Sequence, residues 1–304
     1  MRERTRRLAL TEGITAGILF GTAAIFIRFL QDVDVFSIAF WRLLIACLTL
    51  AIMLIVLGKS FHFSLVKKNF KDLIILSFFL ALHFIFFVSA VKDTTILNAT
   101  VLVNTTPIFS MFVSSFLFNI KPSRFAIFGL TISFVGVCVI GYAETTVTGT
   151  NGQEFFSNLK GDLEAISAAL VESFYLNYGR KVRSQMDILP IMFPIYVFTA
   201  MIVGMLGALT TNSISTIPND VGAILPLVGL ALLPTAIAHT LYFSSLSNLK
   251  SFETATMALL EPIGATLLGI VFFREIPAYL FVLGAILILL GIAFIVTEKV
   301  NMQN

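Results

Sequence analysis

Charge is what this 304-residue sequence has least of: Asp, Glu, Lys and Arg together make up 12% of it, while 58% is hydrophobic. Soluble domains carry about 25% charged residues. A soluble chain of this size has too much surface to cover with so few charges, and it would expose apolar patches large enough to aggregate. A soluble enzyme, a disordered chain and a nucleic-acid-binding module are excluded on that ground. Cysteine is scarce as well. Cys47 and Cys138 both lie in apolar runs and make neither a disulfide framework nor a metal-ligand pair. No G-x-x-x-x-G-K-[ST] phosphate loop occurs, which argues against an ATP-driven pump, and no H-E-x-x-H zinc signature occurs either. Neither a metal nor a cofactor is expected.

What the sequence has in quantity is long apolar stretches. About 20 predominantly apolar residues cross the roughly 30 Å of bilayer hydrocarbon as a helix. Ten such stretches begin near Glu12, Phe36, Asp72, Ile96, Arg124, Gly161, Leu189, Gly222, Glu253 and Ala278. The sixth is the weakest, with Glu164 and Glu172 inside it. The basic start Arg2, Arg4, Arg6 and Arg7 precedes an apolar run without a cleavage site, so the first span is expected to be retained. An outer-membrane barrel is excluded because its strands would alternate over short segments. With the N-terminus in the cytoplasm, basic residues divide roughly fifteen inside (Lys67, Lys121, Arg180 and Lys299 among them) against Lys92, Lys160 and Arg274 outside. That bias predicts an all-α membrane protein with ten transmembrane helices, both termini cytoplasmic, in the cell membrane.

The two halves repeat at an offset of about 155 residues. Pro107 matches Pro262, Pro122 matches Pro277, Gly129 matches Gly284 and Gly136 matches Gly291. The surrounding text agrees, PIFSMFVSSFLFNIKP beside PIGATLLGIVFFREIP. His83 and His239 miss the register by one residue. Five spans per half is an odd number, so the halves enter the membrane in opposite senses, an inverted repeat of the kind secondary transporters use for alternating access. The division is residues 1–142 as the first repeat, 143–160 as an extracytoplasmic linker and 161–304 as the second repeat.

FWRLLIA at Phe40–Ala46, TTPIF at Thr105–Phe109 and LLEPIGATLLGIVFFREIP at Leu259–Pro277, in this order and with the glycine-spaced fifth and tenth spans, resemble the drug/metabolite transporter superfamily, specifically its EamA-type ten-helix exporters. The likeness runs from about Gly13 to Val296. It implies export of small organic solutes, amino acids and drug-like compounds among them, through a central cavity lined by the first, third, fourth, sixth, eighth and ninth helices. The second helix is implied to be peripheral. Sugar-phosphate and nucleotide-sugar carriers share the superfamily and would need cavity lysines or arginines for the phosphate. Outside transport, the alternatives are a lipid-modifying membrane enzyme, for which no nucleophile–base constellation stands out, and a structural or signalling membrane protein.

A polar group retained inside a bilayer needs a reason. Candidate substrate-binding residues are His83, Asn104, Thr105, Glu172, Tyr175, His239, Tyr242 and Glu261. The carboxylates suit an ammonium or a proton, the tyrosines an aromatic wall, and the histidines titrate near neutrality. Each also has a plain reading as an interhelical hydrogen bond or packing residue. Asn104 and Thr105 can alternatively satisfy the carbonyls that Pro107 frees. Pro107 and Pro262 are candidate kinks for gating. Gly129, Gly136, Gly284 and Gly291 suit close helix packing, either within the chain or as the seam of a homodimer. Arg42 is expected to pair with a carboxylate or snorkel outward beside Trp41, in a structural role. The solute and the lipid bilayer are the expected partners, and no nucleic acid is.

Overall fold

The computed structural model describes residues 5–59, 63–94, 96–148, 159–183, 187–210, 221–273 and 279–297. The expected linker therefore lies largely outside the described residues, as do Arg2, Arg4, Arg274, Pro277 and Lys299. All regular structure among the described residues is helical. The chain runs through α1 (Arg6–Arg28), α2 (Val35–Val56), the short α3 (Phe63–Lys68), α4 (Phe70–Asp93), α5 (Ile96–Val103), α6 (Thr106–Leu117), α7 (Arg124–Thr148), α8 (Leu159–Arg183) and α9 (Ile188–Thr210). It continues through α10 (Val221–Leu230), a π-helical stretch (Ala231–His239), α11 (Thr240–Ser245), α12 (Ser251–Met257), a 3-10 turn (Ala258–Leu260), α13 (Glu261–Phe273) and α14 (Tyr279–Thr297). Among the described residues, six segments are long and apolar enough to cross a membrane: Arg6–Arg28, Val35–Val56, Phe70–Asp93, Ala99–Leu117, Ile188–Thr210 and Gly222–Ser245. Arg124–Ile140 and Tyr279–Ile295 are shorter apolar helices.

Local chemistry fixes the helix ends. Thr5 caps α1 by accepting from the Leu8 N–H at 3.3 Å, and Asp34 caps α2 by accepting from the Ser37 N–H at 3.0 Å. Glu253 accepts the Lys250 N–H at 2.6 Å at the start of α12. The outer faces carry large apolar side chains such as Leu48, Ile52, Ile55, Phe116, Met201, Met205 and Leu289, the surface composition of a protein that meets hydrocarbon.

Three of the helical segments are broken, and each break sits beside a proline. Pro107 opens α6, and it leaves the Val103 carbonyl without an amide donor four residues on. The Thr106 hydroxyl donates to that carbonyl at 2.8 Å, Thr105 donates to Leu102 O at 2.6 Å and the Asn104 amide to Thr100 O at 2.8 Å. Pro234 does the same to Leu230 O, which instead accepts from the Thr235 hydroxyl at 2.7 Å within the π-helical stretch. Ahead of Pro262, the Ala258 carbonyl accepts from the Glu261 N–H, closing the 3-10 turn. These breaks stay hydrogen-bonded inside the chain, as a membrane interior requires.

Helix α7 packs along α14, and α1 packs against the broken α12–α13 segment. At the first contact a Cβ on Gly136 would meet Gly284 O at 2.6 Å, and one on Gly129 would meet Gly291 O at 2.6 Å. The four glycines therefore face each other within one chain and leave no such seam free for a second copy. Gly136→Leu is expected to cost about 1–3 kcal/mol by overpacking, read as a lower melting temperature of the detergent-purified protein. Gly204→Ala is the control, because there the added carbon meets only the Phe40 ring at 3.2 Å.

Candidate functional site

A cavity of about 30 Å³ opens among the broken segments, room for about two waters. Phe20 and Ala23 reach it from α1, Arg42 from α2, and His83, Phe84 and Phe87 from α4. Val103, Asn104 and Thr106 come from the α5–α6 break, and Glu172 comes from α8. Pro234 and His239 come from the π-helical stretch, Ala258 from the 3-10 turn, and Glu261 from the start of α13. Each break thus delivers polar side chains to one place, because a helix interrupted by proline can turn its hydroxyls and amides inward without orphaning its backbone.

Glu172, 6% exposed, is the hub. Its Oε2 accepts from the Thr106 hydroxyl at 3.2 Å and lies 3.7 Å from His83 Nδ1. That imidazole nitrogen is also 3.2 Å from Ala168 O, one turn earlier on α8. The rings of His83 and His239 stand 5.9 Å apart, nearly perpendicular, and Phe20 and Phe84 clasp His239 edge-on at 4.8 and 4.9 Å. Sequence register separates the two histidines by one position, yet the structure brings them face to edge across the two halves.

Of the candidate substrate-binding residues, His83, Asn104, Glu172, His239 and Glu261 line the cavity. Thr105, Tyr175 and Tyr242 do not. The Thr105 hydroxyl is spent on Leu102 O. Tyr242 is fully buried and packs T-shaped on Phe20 at 5.1 Å, one layer behind the wall. Tyr175 points its hydroxyl at Met192 Sδ, 3.8 Å away, and its ring at Phe243. Tyr175→Phe is accordingly expected to leave solute flux in proteoliposomes within about twofold of wild type, since it removes only a weak contact to sulfur.

Two residues take roles that the sequence reading did not give them. Arg42 is 1% exposed and neither snorkels nor pairs with a carboxylate among the described residues. It donates from Nε to the Thr235 hydroxyl at 2.9 Å, lies 4.2 Å over the Phe84 ring, and faces the cavity. Trp41 beside it points to an interfacial role, and nothing in the sequence reports the hydroxyl of the π-helical stretch that draws Arg42 inward. Asn177 is the second. Its amide donates to Ser110 O at 3.1 Å and Ser110 Oγ at 3.0 Å, and its oxygen accepts from Ser251 at 2.7 Å, tying α8 to α6 and α12 below the cavity.

A model of the EamA-like transporter family matches residues 8–142 and 159–297 of the chain. An uncharacterized transporter of Archaeoglobus fulgidus is 27% identical over 308 residues, covering 96% of this chain and 96% of that protein. The uncharacterized transporter YdfC of Bacillus subtilis is 26% identical over 314 residues, covering 100% of this chain and 95% of its own length. A solved crystal structure superposes with a TM-score of 0.79 at 19% identity, covering 95% of this chain and 96% of that one, which is a likeness of fold.

Proposed function

The chain belongs to the EamA-like transporter family, and from that membership we propose that it is a secondary transporter exporting small organic metabolites, such as amino acids, amines or drug-like solutes, by alternating access. In this reading residues 1–142 and 161–304 form two inverted five-helix repeats, ten transmembrane helices in all, in the cell membrane with both termini cytoplasmic. The repeats rock about the cavity, and the breaks at Pro107 and Pro262 let the two sides open in turn. The observation that carries the reading is the lining of the cavity. Thr106 and His83 come from the first family-matched segment, Glu172, His239 and Glu261 from the second, and they meet around one buried space. A site shared between two such bundles changes shape when they move against each other.

The small volume belongs to a closed state, since a drug-sized solute needs a pocket of about 300 Å³ or more. Two buried carboxylates beside two imidazoles supply groups that take up and release protons, so exchange against protons and facilitated efflux are both open to this site. Flux of labelled solutes in proteoliposomes, with and without a pH gradient, decides between them. Gradient-dependent flux that Glu261→Gln abolishes establishes proton coupling through that carboxyl. Flux and pH dependence unchanged in Glu261→Gln remove Glu261 from the coupling. No flux of any amino acid, amine or drug-like solute contradicts transport.

A further inference from the structure

Arg42 is a buried cation that no carboxylate among the described residues pairs with. One of its N–H groups reaches Thr235 and one face of its guanidinium covers Phe84, but Nη1 is buried with no hydrogen-bond partner among the described residues. The carboxylates that share its cavity are engaged elsewhere or out of reach. Glu172 accepts from Thr106 beside His83, and no carboxylate lies within ion-pair distance of Arg42 among the described residues. His239, on the same wall, likewise has its Nδ1 buried without a partner. A desolvated charge with an unfilled donor is costly unless something brings it an acceptor.

We propose that the free edge of the Arg42 guanidinium, with the His239 imidazole beside it, is a carboxylate-binding subsite for the transported solute. The inference rests on the transport reading and adds to it the chemical group that the solute must carry. A planar guanidinium donates in a fork that matches a carboxylate. Its tether to Thr235 fixes the fork, and the π-helical stretch around Pro234 aims it. A phosphate would ask for more: Arg42 is the only lysine or arginine on the lining among the described residues, and a dianion calls for more than one cationic fork. A monoanionic carboxylate matches one guanidinium. Removing the carboxylate from the solute, or the guanidinium from the protein, is then expected to weaken binding by about tenfold or more, the loss of one charge-assisted pair.

The test uses the full chain purified in detergent and four probes that share one ring: benzoate, phenylalanine, phenethylamine and phenyl phosphate. Binding is read as the ligand-dependent rise in melting temperature, titrated to a dissociation constant. The proposal predicts that benzoate and phenylalanine each bind at least about tenfold tighter than phenethylamine and tighter than phenyl phosphate, and that Arg42→Gln erases this preference. Where Arg42→Gln does not yield folded protein, Arg42→Lys, which keeps the charge and loses the fork, is expected to weaken the carboxylates without weakening the amine. Thr235→Val, which removes the tether and keeps the guanidinium, is expected to weaken the carboxylates less than Arg42→Gln does and to leave the amine unchanged. A purely structural Arg42 would lower every melting temperature without changing which probe is preferred. Phenethylamine equal to phenylalanine, phenyl phosphate tighter than benzoate, no carboxylate bound, or a preference intact in Arg42→Gln each overturns the subsite. Amine flux in proteoliposomes in those cases leaves the transport reading standing, so the two failures are distinguishable.

Discussion

Glu172→Gln is expected to lower solute flux by about tenfold or more with little change in the amount of folded protein. The carboxylate links three helices at the cavity: it accepts from Thr106 at the α5–α6 break and lies beside His83 of α4, while its own helix α8 packs along α4. Glutamine keeps the shape and can still accept from Thr106, so the fold should survive. What it loses is the charge. A hydrogen bond to a charged group contributes about 1.5–3 kcal/mol against about 1 for a neutral one. A difference of about 1.4 kcal/mol is tenfold in a rate or an affinity. Glu172→Ala should be worse, since it also removes the contact with Thr106 and opens a gap. Glu164→Gln is the control. That carboxylate lies about two turns earlier on α8, beside Lys160 at 3.6 Å, off the cavity wall. Flux in Glu172→Gln within about twofold of wild type, at equal protein incorporation, would remove Glu172 from the working site.

Gly17→Leu is expected to leave almost no folded protein. Helix α1 runs so close to the α12–α13 break that a Cβ on Gly17 would clash with the Met257 carbonyl oxygen and lie 2.9 Å from its carbon. One turn on, a Cβ on Gly21 would meet Glu261 O at 2.8 Å and Gly264 C at 2.7 Å. These neighbours are backbone atoms of a segment already held by its own hydrogen bonds, so they cannot yield as a side-chain tip would. Overpacking of this kind costs about 1–3 kcal/mol where the neighbour can shift, and more where it cannot. In lipid there is no compensating gain from burying the added apolar surface, because hydrocarbon already solvates it. The loss reaches the site directly, since α1 carries Phe20 and Ala23 and the segment it touches carries Ala258 and Glu261. Size-exclusion recovery and melting temperature, compared with Gly204→Ala, measure it. A monodisperse, wild-type-like Gly17→Leu would mean that α1 and the end of α12 do not approach as described.

Much of the architecture is legible in the sequence because a bilayer reduces folding to hydropathy and proline. The apolar runs near Phe36, Asp72, Arg124 and Leu189 coincide with the starts of α2, α4, α7 and α9 at Val35, Phe70, Arg124 and Ile188. Helix α1 begins earlier, at Arg6 rather than Glu12, because Thr5 caps it and Arg6 makes a two-pronged ion pair with the buried Glu253, at 3.0 and 3.2 Å. A hydropathy count stops at the first charges and cannot see a partner 247 residues away. The Pro107 break is foreseeable, as are the hydroxyls that heal it. The π-helical stretch is not, although Pro234 followed by Thr235 is in retrospect the same device. The four-residue spacing of Gly13, Gly17 and Gly21 is a visible small-residue face, but only tertiary structure reveals that it meets a broken helix.

The site divides the same way. Buried carboxylates and histidines announce themselves by their rarity in apolar runs, which is why Glu172, Glu261, His83 and His239 are readable. Direction is not readable. Tyr175 sits one turn from Glu172 on α8, yet a rotation of the helix face sends its hydroxyl to Met192 rather than the cavity. Arg42 is the converse case, an arginine next to an interfacial tryptophan that the Thr235 hydroxyl and the Phe84 ring draw inward. Long side chains obey their partners more than their depth.

Alternating access requires that one cavity, shared by both family-matched segments, open in turn to the two sides of the membrane. Ala258→Cys, in a protein whose Cys47 and Cys138 have been replaced, puts a thiol on the cavity wall. Labelling by a membrane-impermeant maleimide, applied separately from each side of oriented vesicles, reads access to it. Labelling from either side is expected, with a shift in the balance between the sides when a transported solute is added. Labelling from one side alone, unchanged by any solute, would contradict it.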